Sequence, residues 1–114
     1  MKIKLYALYA LAVLLVISGA AFSGERESRY VREESARRNI ALITESQAEE
    51  IALKRLNLDN ARVKEIDLDN EADDYPNGTD FRPVYQIECA AGFDEYDVDV
   101  DAVTGEILKF KRDD

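Results

Sequence analysis

The sequence predicts an α+β domain in two layers, one amphipathic helix packed on a four-stranded antiparallel sheet, with a signal peptide in front of it. Three observations carry this expectation. Apolar residues fall at a period of two on both sides of a tight turn near the C-terminus, a capped stretch further back has apolar residues at helical spacing, and the chain opens with an apolar run behind two lysines.

Taken in order, Met1 to Lys4 carries Lys2 and Lys4, Leu5 to Ile17 is uncharged and apolar, and Ser18 to Gly24 supplies small residues. This is the pattern of a secretory signal over residues 1–23, with cuts fitting after Ala20 and after Ser23. The alternative is an uncleaved anchor, because the apolar run stretched from Leu5 to Phe22 approaches the roughly 20 residues of a spanning helix. No cysteine follows the run, which excludes a lipoprotein anchor. Either way the domain is expected outside the cytoplasm.

Residues 24–39 change character. Arg26, Arg29, Arg32, Arg37 and Arg38 alternate with Glu25, Glu27, Glu33 and Glu34, and only Tyr30, Val31 and Ala36 are apolar. Glu25–Arg29, Glu33–Arg37 and Glu34–Arg38 stand four apart, as in a solvated helix, but no apolar stripe runs through them. A charged linker, partly helical at best, is the expectation.

The folded domain is expected over residues 40–112. Thr44 is a good N-cap and Gln47, three residues on, completes a capping box, with Ile43 placed as a staple. Ala48, Ile51, Ala52 and Leu56 then share one helix face, opposite Glu49, Glu50 and Lys54. Asn57 to Asn60 breaks the helix. Ala61 to Leu68 reads as a first strand in which the step from Val63 to Ile66 slips the alternation once, the mark of a bulge. Asp69 to Arg82 is an acidic loop, too long for an ordinary hairpin connection. Pro83 to Cys89 is a second strand with Tyr85, Ile87 and Cys89 on one face. Ala90 to Asp94 turns the chain into a third strand.

The third and fourth strands form the hairpin that organises the rest. Tyr96, Val98 and Val100 precede the turn; after it the inward positions are Ile107 and Lys109, or Leu108 and Phe110. Asp101 is placed to accept hydrogen bonds from backbone N–H groups two and three residues on, and Gly105 to adopt the positive φ that closes a short loop with a bulge.

Composition narrows the chemistry. The chain has 24 acidic and 15 basic residues and a net charge of −9, which argues against nucleic acid as a partner. Removal of the leader would carry the balance near −11, with 13 basic residues against 24 acidic. Without histidine, the serine and cysteine triads that depend on imidazole and most zinc sites fall away. Cys89, the only cysteine, reads as a small core residue. Paired carboxylates for glycosidase-type work sit on an open face with no cleft implied. Counted as EF-hand loops with the aspartate as position one, the runs from Asp97 and Asp67 place Leu108 and Gly78 at position twelve, where a glutamate is required. Asn77-Gly78-Thr79 matches a glycosylation sequon but reads more economically as a turn. The sequence implies no catalytic residue, metal or cofactor.

The run Ile43 to Ala52, then Val63 to Leu68, Tyr85-Gln86-Ile87, and finally Val98 to Ile107 resembles the PepSY domain over about residues 40–112. Asp101-Ala102-Val103-Thr104-Gly105-Glu106-Ile107 is its most specific part, and Thr44, Gln47, Asp101, Thr104 and Gly105 are the structural signature. PepSY modules occur in the propeptides of thermolysin-like metallopeptidases and as small exported or membrane-anchored bacterial proteins, and the family is proposed to restrain peptidases. The resemblance implies a non-catalytic, extracytoplasmic binding or regulatory module whose partner is an exported peptidase or another envelope protein. This chain departs from the propeptide pattern in having no peptidase domain within its 114 residues.

The expected partner surface is Tyr75 and Phe81 on the long loop together with Glu95, Asp97 and Asp99 on the sheet. The alternative from a different class is a small-ligand or divalent-cation binder using the acidic 69–82 loop.

Overall fold

A computed structural model of the chain describes residues 23–113. Two helices, α1 (Ser23–Arg37) and α2 (Glu45–Leu56), precede four strands: β1 (Arg62–Asn70), β2 (Pro83–Ala91), β3 (Asp94–Asp101) and β4 (Ile107–Asp113). The strands form one antiparallel sheet in the order β1-β2-β3-β4. This is the expected α+β class, with one helix more than the apolar pattern shows. The expected leader lies outside the described residues except for Ser23, at which α1 begins.

The inner face of the sheet makes the core. Ile66, Ile87, Val98 and Phe110 stand side by side across the four strands, and Leu68, Tyr85, Val100 and Ile107 form the next row. α2 lays Ala48, Ala52 and Leu56 on this face, with Ile51 partly buried beside them. The expected capping box is present: Gln47 N–H donates to Thr44 Oγ1 at 3.1 Å, and Thr44 N–H donates to Gln47 Oε1 at 2.8 Å. Asn57 ends α2 in the left-handed region at φ 50°, where its N–H reaches Leu53 O. Cys89 is fully buried among these side chains, which raises its thiol pKa.

The slip read between Val63 and Ile66 is a register shift between Val63 and Glu65. A second shift, between Asp99 and Val100, settles the alternation in β4: Ile107 and Phe110 both point inward, with the bulge between them.

Residues 24–39 are not a linker. α1 lies along β1, the strand at one edge of the sheet, and is part of the fold. Its contact seam is Ser28, Val31 and Ser35, spaced as one helix face and all buried. Ser28 Oγ accepts the Leu68 N–H at 2.9 Å, an edge donor that β2 does not use, and the Ser35 hydroxyl donates to Val31 O at 2.7 Å. Gly24 passes so close to β1 that a Cβ there would stand 2.4 Å from Asp67 Oδ1. Arg32 joins α1 to α2 through Glu45 at 2.7 Å, and the anticipated Glu34–Arg38 pair forms at 2.8 Å. The helix thus occupies an edge that would otherwise present unpaired backbone groups to any passing strand.

Candidate functional site

The outer face of the sheet follows from the same register. Asp67, Gln86, Asp99 and Lys109 form one row across the strands, and Glu65, Glu88, Asp97 and Lys111 form the next. Between them lies a shallow trough of about 270 Å3, with Glu65, Asp67, Glu88, Asp97 and Asp99 as its acids and Lys109 as its base. Like charges placed directly opposite on neighbouring strands destabilise a sheet. Here three carboxylates, Glu65, Glu88 and Asp97, stand abreast on β1, β2 and β3. Lys64 offsets part of that repulsion, reaching Glu95 at 2.6 Å and Glu88 at 3.2 Å, and this raises its own pKa.

The loop between β1 and β2, residues 71–82, folds back over one end of this face. The Tyr75 hydroxyl donates to Asp99 Oδ2 at 2.6 Å, and Gln86 Nε2 donates to Glu71. Arg82 places Nε at 3.1 Å and a terminal nitrogen at 3.0 Å from Asp101 Oδ2, while its other terminal nitrogen donates to Tyr75 O at 3.0 Å. Side chains shape the loop from within. Asn70 Oδ1 accepts the Ala72 and Arg82 N–H groups, and Asn77 Oδ1 accepts both the N–H and the hydroxyl of Thr79, so the Asn77-Gly78-Thr79 turn is formed as expected.

At the β3–β4 turn, Asp101 Oδ1 accepts the Val103 N–H at 2.8 Å and the Thr104 N–H at 2.9 Å, as its position foretells. Gly105 has φ +82° and donates to Asp101 O at 2.8 Å. Burial alone would raise the Asp101 carboxyl, but the two backbone N–H groups and the Arg82 guanidinium outweigh it and hold its pKa below the ordinary value.

The expected partner surface divides. Asp97 lines the trough. Glu95 sits at its margin, paired with Lys64. Tyr75 and Asp99 are joined to each other, and burial followed by that hydrogen bond raises the Tyr75 pKa. Phe81 is a correction: only 4% exposed, it belongs to the core cluster and lies under the guanidinium of Arg38, the residue after α1, at 4.6 Å from its ring centre. A free partner contact needs a solvated ring, and α1 removes it. Asp99, expected on the partner surface, is likewise only 6% exposed, and Asp101 beside it 5%, because the loop covers them. Arg82, Glu71, Gln86 and Lys109, none of which the sequence marks as a site residue, complete the arrangement. Their signal is register: once β2 is placed opposite β3, Gln86 faces Asp99. The acidic loop does not gather a cation site; among the described residues no three acidic or sulfur ligands converge on one point.

The fold and this face define a small open-faced α+β module: a helix layer on one side of the sheet and an acidic surface on the other. The chain matches the PepSY family, described as the peptidase propeptide and YPEB domain, over residues 42–111, and it belongs to that family. The comparisons with curated proteins and with solved structures found no match. PepSY domains are propeptide and regulatory modules associated with peptidases, and they are typically extracytoplasmic. Among the described residues no helix is long and apolar enough to cross a membrane. The match begins at residue 42, so α1 lies outside the matched part of the fold.

Proposed function

We propose that this protein is a non-catalytic docking and regulatory module of the cell envelope, which receives a basic segment of an exported peptidase or another envelope protein on its acidic outer sheet face. The observation that carries this function is the carboxylate row Glu65–Glu88–Asp97 on the open side of the sheet. A surface shaped for stability alone alternates charge at such positions, because opposed like charges weaken strand pairing. A basic partner turns that internal repulsion into attraction, and electrostatic complementarity of this kind mainly speeds encounter and selects the partner. Membership of a family of peptidase propeptide and regulatory domains supports the choice of partner class.

The test is crosslinking in the source cell envelope from a photoreactive residue at position 88, repeated with Asp97→Lys. Capture of a peptidase or envelope protein that weakens with the reversed charge and with added salt supports the assignment. Absence of any captured protein, or capture indifferent to the reversal, overturns it.

A further inference from the structure

We propose that β4, the open edge of the sheet, receives an extended segment of another protein as a fifth strand, a segment in which apolar residues alternate with aspartate or glutamate. The two edges of the sheet differ. β1 is covered by α1, whose Ser28 takes up the outward Leu68 N–H, whereas β4 ends the sheet and pairs with β3 alone among the described residues. At seven residues, Ile107–Asp113, it is long enough to act as a template for strand addition.

The register fixes which backbone groups face outward. Ala91 and Asp94 flank the two-residue β2–β3 turn and so exchange hydrogen bonds with each other, and bonded positions then alternate along β3. Tyr96, Val98 and Val100 turn their N–H and C=O groups to β2. Asp97, Asp99 and Asp101 turn theirs to β4, in keeping with the Asp101 N–H that donates to Glu106 O at 2.8 Å. Phe110 stands opposite Val98, whose bonds go to β2, so the Phe110 N–H and C=O point away from β3 into the open edge. They offer one donor and one acceptor to a single facing residue.

The side chains define the segment. On the inner face α2 makes its main contacts with β1, β2 and β3, which leaves Phe110 half-buried, stacked on Tyr96 at 5.8 Å between ring centres. Its other cover is the exposed Arg55 guanidinium at 3.9 Å. An apolar residue opposite Phe110 extends this layer. On the outer face the exposed Lys109 and Lys111 stand on either side of Phe110. β3 already shows what suits the three: Asp99 faces Lys109, Asp97 faces Lys111, and Val98 lies between them against Phe110. The free side of β4 presents the same side chains, so an acid–apolar–acid triplet fits it in the same way. A second copy does not. Antiparallel β4–β4 pairing about Phe110 sets Lys109 of each chain against Lys111 of the other, like charges directly opposed. The lysines thus disfavour self-pairing and select an acidic strand of a partner. Apart from Lys109, which borders both, this edge is separate from the acidic trough, and its occupation does not depend on the docking function proposed above.

The probe is a synthetic peptide with the sequence of residues 94–101, Asp-Glu-Tyr-Asp-Val-Asp-Val-Asp, which carries the required alternation. It is titrated into the isotope-labelled full chain and followed by NMR. Amide shifts are expected to centre on β4, with hydrogen exchange at Phe110 slowed about 10-fold at saturation. N-methylation of both valines removes the peptide donors that face Phe110 without changing charge and is expected to weaken binding about 10-fold. Lysine in place of the peptide's aspartates is expected to abolish it. Lys109→Gln combined with Lys111→Gln is expected to weaken binding about 5-fold, and the peptide comparisons decide even where that variant fails to fold. No binding at millimolar peptide, shifts centred away from β4, or equal binding of the N-methylated or lysine peptide overturns the proposal. So does self-association that protects the Phe110 amide in the absence of peptide, because a second copy then holds the edge.

Discussion

The carboxylate of Asp101 serves two structures at once: its Oδ1 caps the β3–β4 turn through the Val103 and Thr104 N–H groups, and its Oδ2 holds Arg82 at 3.0 Å. The β3–β4 turn therefore also anchors the loop between β1 and β2. Both side chains are largely withdrawn from water, 8% exposed for Asp101 and 18% for Arg82, so removing one leaves the other poorly solvated. Asp101→Ala is expected to destabilise the domain by about 2–4 kcal/mol in urea unfolding. Asp101→Asn keeps an acceptor for the turn and is expected to lose about half as much.

The same carboxylate sets an acid limit. Its pKa is lowered in the folded state, so its contribution is complete above the ordinary value of 3.8 and is lost as pH falls through the lower folded value. Thermal unfolding of the native chain is expected to show falling stability below about pH 4, with a shallower fall in D101N. Equal slopes would mean that Asp101 contributes nothing to acid sensitivity.

Ser28 is a polar residue doing a strand's work, since its hydroxyl oxygen receives the Leu68 N–H at the β1 edge. Ser28→Ala leaves that donor under α1 without its partner and is expected to cost about 1–2 kcal/mol in denaturant unfolding. The substitution adds no bulk, so a larger loss would indicate that α1 detaches as a unit. Size-exclusion chromatography distinguishes the two outcomes, because a bare β1 edge invites self-association.

This helix also shows where sequence patterning stops. α2 was legible because its buried residues are apolar at helical spacing and its cap is a recognised pair; the hairpin was legible because Asp101 and Gly105 have few other uses at that spacing. α1 buries Ser28 and Ser35 beside Val31, and an apolar count passes over serines whose hydroxyls are satisfied within the fold. At the site, Asp97 and Glu95 were legible from period two alone. The burial of Asp99 and Phe81 was not, because it depends on where a long loop and an unrecognised helix come to rest.

Phe81 provides a direct check on that difference. An exposed aromatic on a loop is replaceable by alanine within about 0.5 kcal/mol, whereas a buried one costs about 3–5 kcal/mol. At 4% exposure, with Arg38 over its ring, Phe81 belongs to the second group. Phe81→Ala is expected to lower the unfolding midpoint accordingly. It is also expected to loosen residues 77–81, since the Asn77 amide and the Thr79 hydroxyl both donate to the Phe81 carbonyl.

Two glycines with the same backbone angle separate strain from crowding. Gly78 and Gly105 both have φ +82°, in the left-handed region that a Cβ disfavours by about 1–2 kcal/mol. At Gly78 a Cβ would meet nothing within 4 Å, so Gly78→Ala is expected to show the conformational term alone. At Gly105 the same atom would stand 3.2 Å from Ile51 Cδ1, which packs from α2 against the core. Relief requires Ile51 to shift, and that side chain has only partial freedom at the edge of a close-packed interior. Gly105→Ala is therefore expected to exceed Gly78→Ala by about 1 kcal/mol in chemical unfolding. Adding Ile51→Val, which withdraws the methyl at the point of contact, is expected to close most of that gap. Equal losses at the two glycines, or a gap that survives I51V, would show that the turn does not press against α2.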